Sequence, residues 1–224
     1  MRKILAYALC ALFCSACVAD SKLPASKVQR ENTTFGPGCH IALTLPVSQR
    51  GGIGNGGKPV GGSGGVDVKP LPKSWKSGLD SLYLSLYCND NDFDARSKGT
   101  ISKYDSSSQE WIKDLHRAYP QFDDEDLKEI DAASSVLNIQ AQNSSGYVSF
   151  QNDTTGDESG RRKVIDFCLF HDNSALCGGG TVAQLKDGPR GDLTKQALEI
   201  IKSIEFLDDA PPAPPSAAAS VPAK

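Results

Sequence analysis

The sequence predicts an α+β domain in which helices pack on an antiparallel sheet. Three observations point there. Short runs that place apolar residues at every second position recur along the chain, such as Ile41, Leu43 and Leu45 or Leu82, Leu84 and Leu86. A cysteine-bearing pair of apolar runs flanks Asp172-Asn173, a two-residue hairpin signal. Near the end, Leu193, Ala197, Ile200, Ile201 and Ile204 form one helical stripe.

The chain opens with Arg2 and Lys3, an apolar run from Ile4 to Phe13, and small residues from Ser15 to Ala19. This is the three-part pattern of a bacterial secretory signal over residues 1–19, and its apolar run is far shorter than the roughly 20 residues that span a bilayer. Two processing routes are open. Cleavage after Ala19 releases a soluble protein. Alternatively, Ser15-Ala16-Cys17 resembles the end of a lipoprotein box, which makes Cys17 a candidate lipidation site and membrane tether. Either route puts the mature protein in the periplasm or on the outer membrane.

Residues 20–36 read as a flexible lead-in and residues 37–207 as a single α+β domain. Cys39 to Leu45 is the first strand. Residues 51–65 are dominated by glycine and read as a mobile loop, with Gly54 and Asn55 near its centre. Leu79 to Cys88 is a second strand, followed by an acidic turn from Asn89 to Asp94. Ile101 to Asp105 suggests a short strand. Ser107-Ser108-Gln109-Glu110 has the form of a capping box, predicting a helix that carries Trp111, Ile112, Leu115, Ala118 and Tyr119 and stops at Pro120. Phe122 to Asp131 fits either a helical turn or a strand lead-in. Ser135 to Gln140 and Tyr147 to Gln151 are strand-like, and the cysteine hairpin and final helix follow. Residues 208–224 are rich in proline and alanine and predict a disordered tail.

Seven cysteines sort by compartment. Cys10, Cys14 and Cys17 belong to the signal segment, leaving Cys39, Cys88, Cys168 and Cys177. An even number outside the reducing cytoplasm suggests two disulfides. A two-residue turn at Asp172-Asn173 sets His171 opposite Ser174 and Cys168 opposite Cys177, in a non-hydrogen-bonded pair whose close α-carbons accept a disulfide. A longer turn would shift that register. Cys39 would then join Cys88, by antiparallel pairing of their two strands. Among these four no Cys-x-x-Cys spacing points to zinc.

The formal charge is −3, and −5 once Arg2 and Lys3 leave with the signal. That mild balance argues against a nucleic-acid partner, which would want a basic patch, and leaves room for a basic protein partner.

"CHIALTLP", "GYVSFQNDTTG" and "ALEIIKSIEFL" resemble the framework of the PsbP-like fold, an α/β/α sandwich with an antiparallel core sheet. Bacterial exported domains that resemble this fold include envelope proteins and immunity proteins that block toxins of rival cells. Fold alone does not fix function.

No catalytic motif is present. His40, His116 and His171 lie outside any recognisable constellation, and there is neither a Gly-x-Ser-x-Gly elbow nor a His-Glu-x-x-His helix. Gly57-Lys58 ends a superficial phosphate-loop match, but Pro59 replaces the required hydroxyl residue. Asp90, Asp92 and Asp94 resemble the start of a calcium loop, yet Ala95 stands at the glycine position and Ile101 at the acidic twelfth. Neither metal nor cofactor is expected. Asn32, Asn143 and Asn152 fall in glycosylation sequons and read as loop residues.

These readings converge on an exported, non-catalytic binding protein, best matched by an immunity-type inhibitor of a secreted antibacterial toxin. Its expected contacts are Gly54 and Asn55 in the glycine loop and Asp90, Asp92 and Asp94 in the acidic turn. The alternatives are an envelope accessory lipoprotein held through Cys17, and a hydrolase whose site would set His171 or His116 beside a carboxylate and a hydroxyl.

Overall fold

A computed structural model of the chain describes residues 28–47, 52–55, 63–90, 92 and 99–207. The signal segment with Cys17, most of the glycine segment, Asp94 and the residues from 208 onward lie outside the described residues. The fold is mixed α and β, mostly antiparallel sheet with few helices.

Seven strands form the large sheet: β3 (Gly52–Asn55), β4 (Ser63–Val68), β5 (Leu82–Asp90), β8 (Ser134–Gln140), β9 (Ser145–Asn152), β10 (Arg162–His171) and β11 (Ser174–Gln184). Their order is β3-β4-β5-β11-β10-β9-β8, and every neighbouring pair is antiparallel. A second sheet of three strands has the order β1-β2-β12 and comprises β1 (Val28–Thr34), β2 (His40–Pro46) and β12 (Glu205–Phe206). The third is a hairpin of β6 (Ser102–Asp105) and β7 (Glu110–Lys113). Helices α1 (Leu115–Ala118), α2 (Asp124–Ala132) and α3 (Thr194–Lys202) complete the described elements.

Alternation along the strands gives the large sheet an inner and an outer face. The inner face carries Leu82, Leu84, Leu86, Val148, Ile165, Phe167, Leu169 and Leu176. It packs on Ile41, Leu43 and Leu45 of β2 and on Ala197, Ile200 and Ile201 of α3. Half of the outer face is covered by the β6–β7 hairpin, whose Trp111 is 6% exposed and packs on Tyr147, Phe170 and the Cys168–Cys177 pair. Ile101, Leu115 and Leu127 form a further cluster that brings in α1 and α2.

Both disulfides form. Cys168 lies opposite Cys177 in the β10–β11 ladder, with α-carbons 4.0 Å apart, as the hairpin register predicts. Cys39 joins Cys88 with α-carbons 5.9 Å apart, but not by strand pairing. The edges of β2 are taken by β1 and β12, and those of β5 by β4 and β11. The two strands instead stack face to face, and the bond staples the small sheet to the large one through the core.

Four local expectations are corrected. Val28–Thr34, assigned to a flexible lead-in, is β1, paired along its length with β2. Gly52–Asn55 and Ser63–Val68, assigned to a mobile glycine loop, are strands β3 and β4. Glycine suits these positions because Tyr83 lies flat on Gly65, where a Cβ would stand 2.5 Å from the phenol oxygen. The predicted helix after Ser107-Ser108-Gln109-Glu110 is instead a turn and strand β7. Ser107 and Ser108 donate their hydroxyls to Asp105 at 2.7 and 2.8 Å rather than capping a helix, and Gln109 takes a φ of 57°. Those bonds, Ser107's first, draw the Asp105 carboxyl down to about 2. Of the three sequon asparagines, Asn32 lies in β1 and Asn152 ends β9, so only Asn143 sits in a loop. The acidic run at Asp123 resolves as a helix start: Asp123 accepts from the Glu125 and Asp126 amides, both at 3.0 Å, and caps α2.

Three side chains pair with backbone where a strand would otherwise sit. Glu31 accepts from the Ile53 amide at 2.8 Å and covers the edge of β3. Asn138 accepts from the Trp111 amide at 2.7 Å and donates to the Trp111 carbonyl at 3.2 Å, holding β7 against β8. Asn143 does the same for Phe206 in β12. Each blunts a sheet edge that would otherwise offer unpaired backbone groups.

Candidate functional site

The site is built at one end of the large sheet and along the part of its outer face that no other described element covers. The β10–β11 turn defines the end. Ser174, first residue of β11, pairs with Asp90, last residue of β5. Asp172 in the turn adopts a φ of 47°, the left-handed conformation that such two-residue turns require. On the inner side, Gly38 (φ 73°) approaches the hairpin so closely that a Cβ there would meet the Ser174 hydroxyl at 2.0 Å. The Cys39–Cys88 bond fixes this approach.

Register places the other predicted segment at the same end. Ser63 begins β4 opposite Tyr87 of β5, and Asn55 ends β3 opposite Gly64. The backbones of Gly54, Asn55 and Asp90 therefore share one end of the sheet with Asp172 and Asn173, and Asp92 is exposed just beyond β5. Segments separated by some 35 residues in sequence become neighbours because β3, β4 and β5 form a meander.

The outer face adds residues that sequence reasoning missed. One transverse row runs Tyr87, Cys177, Cys168, Tyr147, and the next runs Gly65, Ser85, Gly179, Asp166, Ser149. The Tyr147 end of these rows is covered. At the other end Tyr83 is 50% and Tyr87 43% exposed. Two strands away on β10, level with Ser85 between the two tyrosines along β5, is Asp166, whose carboxylate folds over Gly179: a Cβ on that glycine would stand 2.4 Å from Asp166 Oδ1. Burial raises the Asp166 pKa. The residue itself is exposed, so the carboxylate lies on the outer face rather than in the core. Tyr147 is pushed up to about 12, first by burial and further by the nearby Tyr87 and Asp166, against the Thr100 hydrogen bond and the charge of Arg117. The only sequence signal for this surface was the glycine run at Gly178 to Gly180, which reads as a kink.

The histidines occupy other places. His171 Nδ1 donates to the Asn143 carbonyl at 2.8 Å, and its ring stacks on Phe206 with centroids 4.9 Å apart. His116 Nε2 meets Asp124 Oδ1 at 3.0 Å on an exposed surface, in a cavity of about 470 Å³ whose lining includes no Ser, Thr or Tyr. His40 begins β2, and its carbonyl accepts from the Leu207 amide. His171 Nε2 also stands 3.6 Å from Asp172 Oδ2, with Ser174 opposite it in the ladder, whereas the His116 cavity pairs a carboxylate with no hydroxyl. Among the described residues no helix is long and apolar enough to cross a membrane.

Comparison with protein-family models, curated proteins and solved structures gives no match for this chain.

Proposed function

We propose that the protein is an exported, non-catalytic binding protein of the immunity type, which neutralises a secreted antibacterial toxin by occluding it with the loop end of the large sheet. One observation carries this reading. Gly54-Asn55 and Asp90, from the two segments singled out as contacts, converge on one end of the sheet beside the exposed Asp172 turn. A rim of turns on a rigid sheet is the usual arrangement for recognition. The Cys39–Cys88 bond braces the base of that rim, and both disulfides are compatible with an oxidising compartment such as the periplasm. The PsbP-like resemblance is part of the proposal; the inner face of the large sheet is covered by β2 and α3 and part of its outer face by the β6–β7 hairpin. Ser15-Ala16-Cys17 supports a second reading, an envelope lipoprotein tethered through Cys17 that uses the same rim. Mass spectrometry of the mature N-terminus separates the two.

The test is capture with the full mature protein from secretions of the same organism and its neighbours. A stoichiometric toxin-like partner, lost when Asp90 and Asp92 are both changed to Lys, is the expected result. Recovery of no stable partner contradicts the reading.

A further inference from the structure

We propose that the open half of the outer face binds an arginine side chain of the protein partner, with Asp166 receiving the guanidinium between the rings of Tyr83 and Tyr87. This rests on the binding-protein reading and names the chemistry of its contact.

Three independent features lead to it. First, the Asp166 carboxylate has no hydrogen bond or ion pair among the described residues, and the protein around it raises its pKa although the residue keeps an exposed surface. An unpaired, partly desolvated carboxylate costs free energy, which an incoming cation recovers as a charge-assisted hydrogen bond. Second, the floor is glycine. Gly65 and Gly179 let the Tyr83 ring and the Asp166 carboxylate lie flat on the sheet, each within 2.6 Å of where a Cβ would be. The upper surfaces of both groups remain turned outward, and a planar guanidinium fits against such a flat, aromatic-walled trough. Third, the charge is one-sided. On this face the described residues of β4, β5 and β11 are serine, threonine, glycine, asparagine, alanine, cysteine, tyrosine and Asp67, with no lysine or arginine among them. Asp67, opposite Tyr83, adds a buried carboxylate oxygen, Oδ1, without a hydrogen-bond partner. Exposed tyrosines around a vacant acidic position match what arginine anchors meet at protein interfaces.

The experiment is an amide NMR titration of the full mature protein with N-acetyl-L-arginine amide, and with the uncharged isostere N-acetyl-L-citrulline amide. Saturable shifts at Tyr83, Tyr87 and Gly179 are expected for the arginine probe, with affinity about tenfold weaker for citrulline and for Asp166→Asn, as loss of one charge-assisted bond implies. Asp166→Asn removes an unpaired charge and keeps the side chain's shape, so the fold is retained. Tyr87→Ala serves as a second variant, with the same loss expected. Absence of saturable shifts at these residues, or equal binding by both variants, overturns the site. The two proposals fail separately. A captured partner held undiminished by both variants removes the arginine site and leaves the binding reading. Arginine binding without any partner does the reverse.

Discussion

The carboxamide of Asn143 hydrogen-bonds both main-chain groups of Phe206, accepting from its N–H at 2.9 Å and donating to its C=O at 2.7 Å. Phe206 pairs with Ile41 of β2 on its other side, so the asparagine stands where a neighbouring strand would run. His171 completes the arrangement by stacking on the Phe206 ring while bonding the Asn143 carbonyl. The C-terminal strand is thereby locked to the β8–β9 turn and to the hairpin that forms the rim.

Asn143→Ala is expected to cost about 2 kcal/mol, the sum of two ordinary hydrogen bonds. Asn143→Asp should cost a similar amount despite its identical shape, because a carboxylate cannot donate to the Phe206 carbonyl. Urea unfolding checks both. An aspartate variant as stable as wild type would show that the donated bond contributes nothing.

Trp111 stacks on Phe170 with centroids 5.2 Å apart and meets Tyr147 at 4.5 Å, above the Cys168–Cys177 bond. Trp111→Ala should destabilise the protein by about 3–5 kcal/mol, as for other large aromatic truncations in cores. Chemical denaturation measures the loss. The β6–β7 hairpin should also gain faster amide exchange, since Asn138 bonds it through the Trp111 backbone.

The two disulfides should differ in worth. In the chain-entropy model the Cys39–Cys88 bond, spanning 49 residues, contributes about 4 kcal/mol, and the Cys168–Cys177 bond, spanning 9, contributes about 2.5 kcal/mol. Paired Cys→Ala variants compared by thermal and urea unfolding test the order. The longer loop should give the larger loss, reinforced because it also joins the two sheets.

Asp166 predicts a pH dependence of definite sign. Its carboxyl titrates higher in the folded protein than in the unfolded chain, so the folded state holds the proton more tightly. Its contribution is most favourable below the unfolded value and is lost as pH rises through the folded one. Asp166→Asn should therefore raise the melting temperature at pH 7 and leave it unchanged near pH 3. Asp105 acts in the opposite sense. Its carboxyl is drawn down to about 2, so its contribution is present at neutral pH and fades as pH falls from about 4 to 2.

Much of the framework was legible because local signals agreed with the tertiary outcome. The Asp172-Asn173 turn set the register that put Cys168 opposite Cys177, and the stripe from Leu193 to Ile204 marked α3. The errors arose where a side chain had two uses. Ser107 and Ser108 can cap a helix or bind the preceding aspartate, and only the packing of Trp111 on Phe170 decides between them. Glycine in β3 and β4 hid strands whose contribution is backbone pairing and flat contact with Tyr83. The candidate site was half legible. Acidic and glycine segments stood out in the sequence, but their convergence follows from the meander. Asp166 was unreadable because its setting depends on Gly179 across the ladder.

The most direct test of the central claim is hydrogen exchange on the mature protein, alone and bound to its captured partner. The account predicts protection concentrated in residues 83–92 and 171–179, with little change at α2. Protection confined to α2 and the β6–β7 hairpin, or none at the rim, would contradict it.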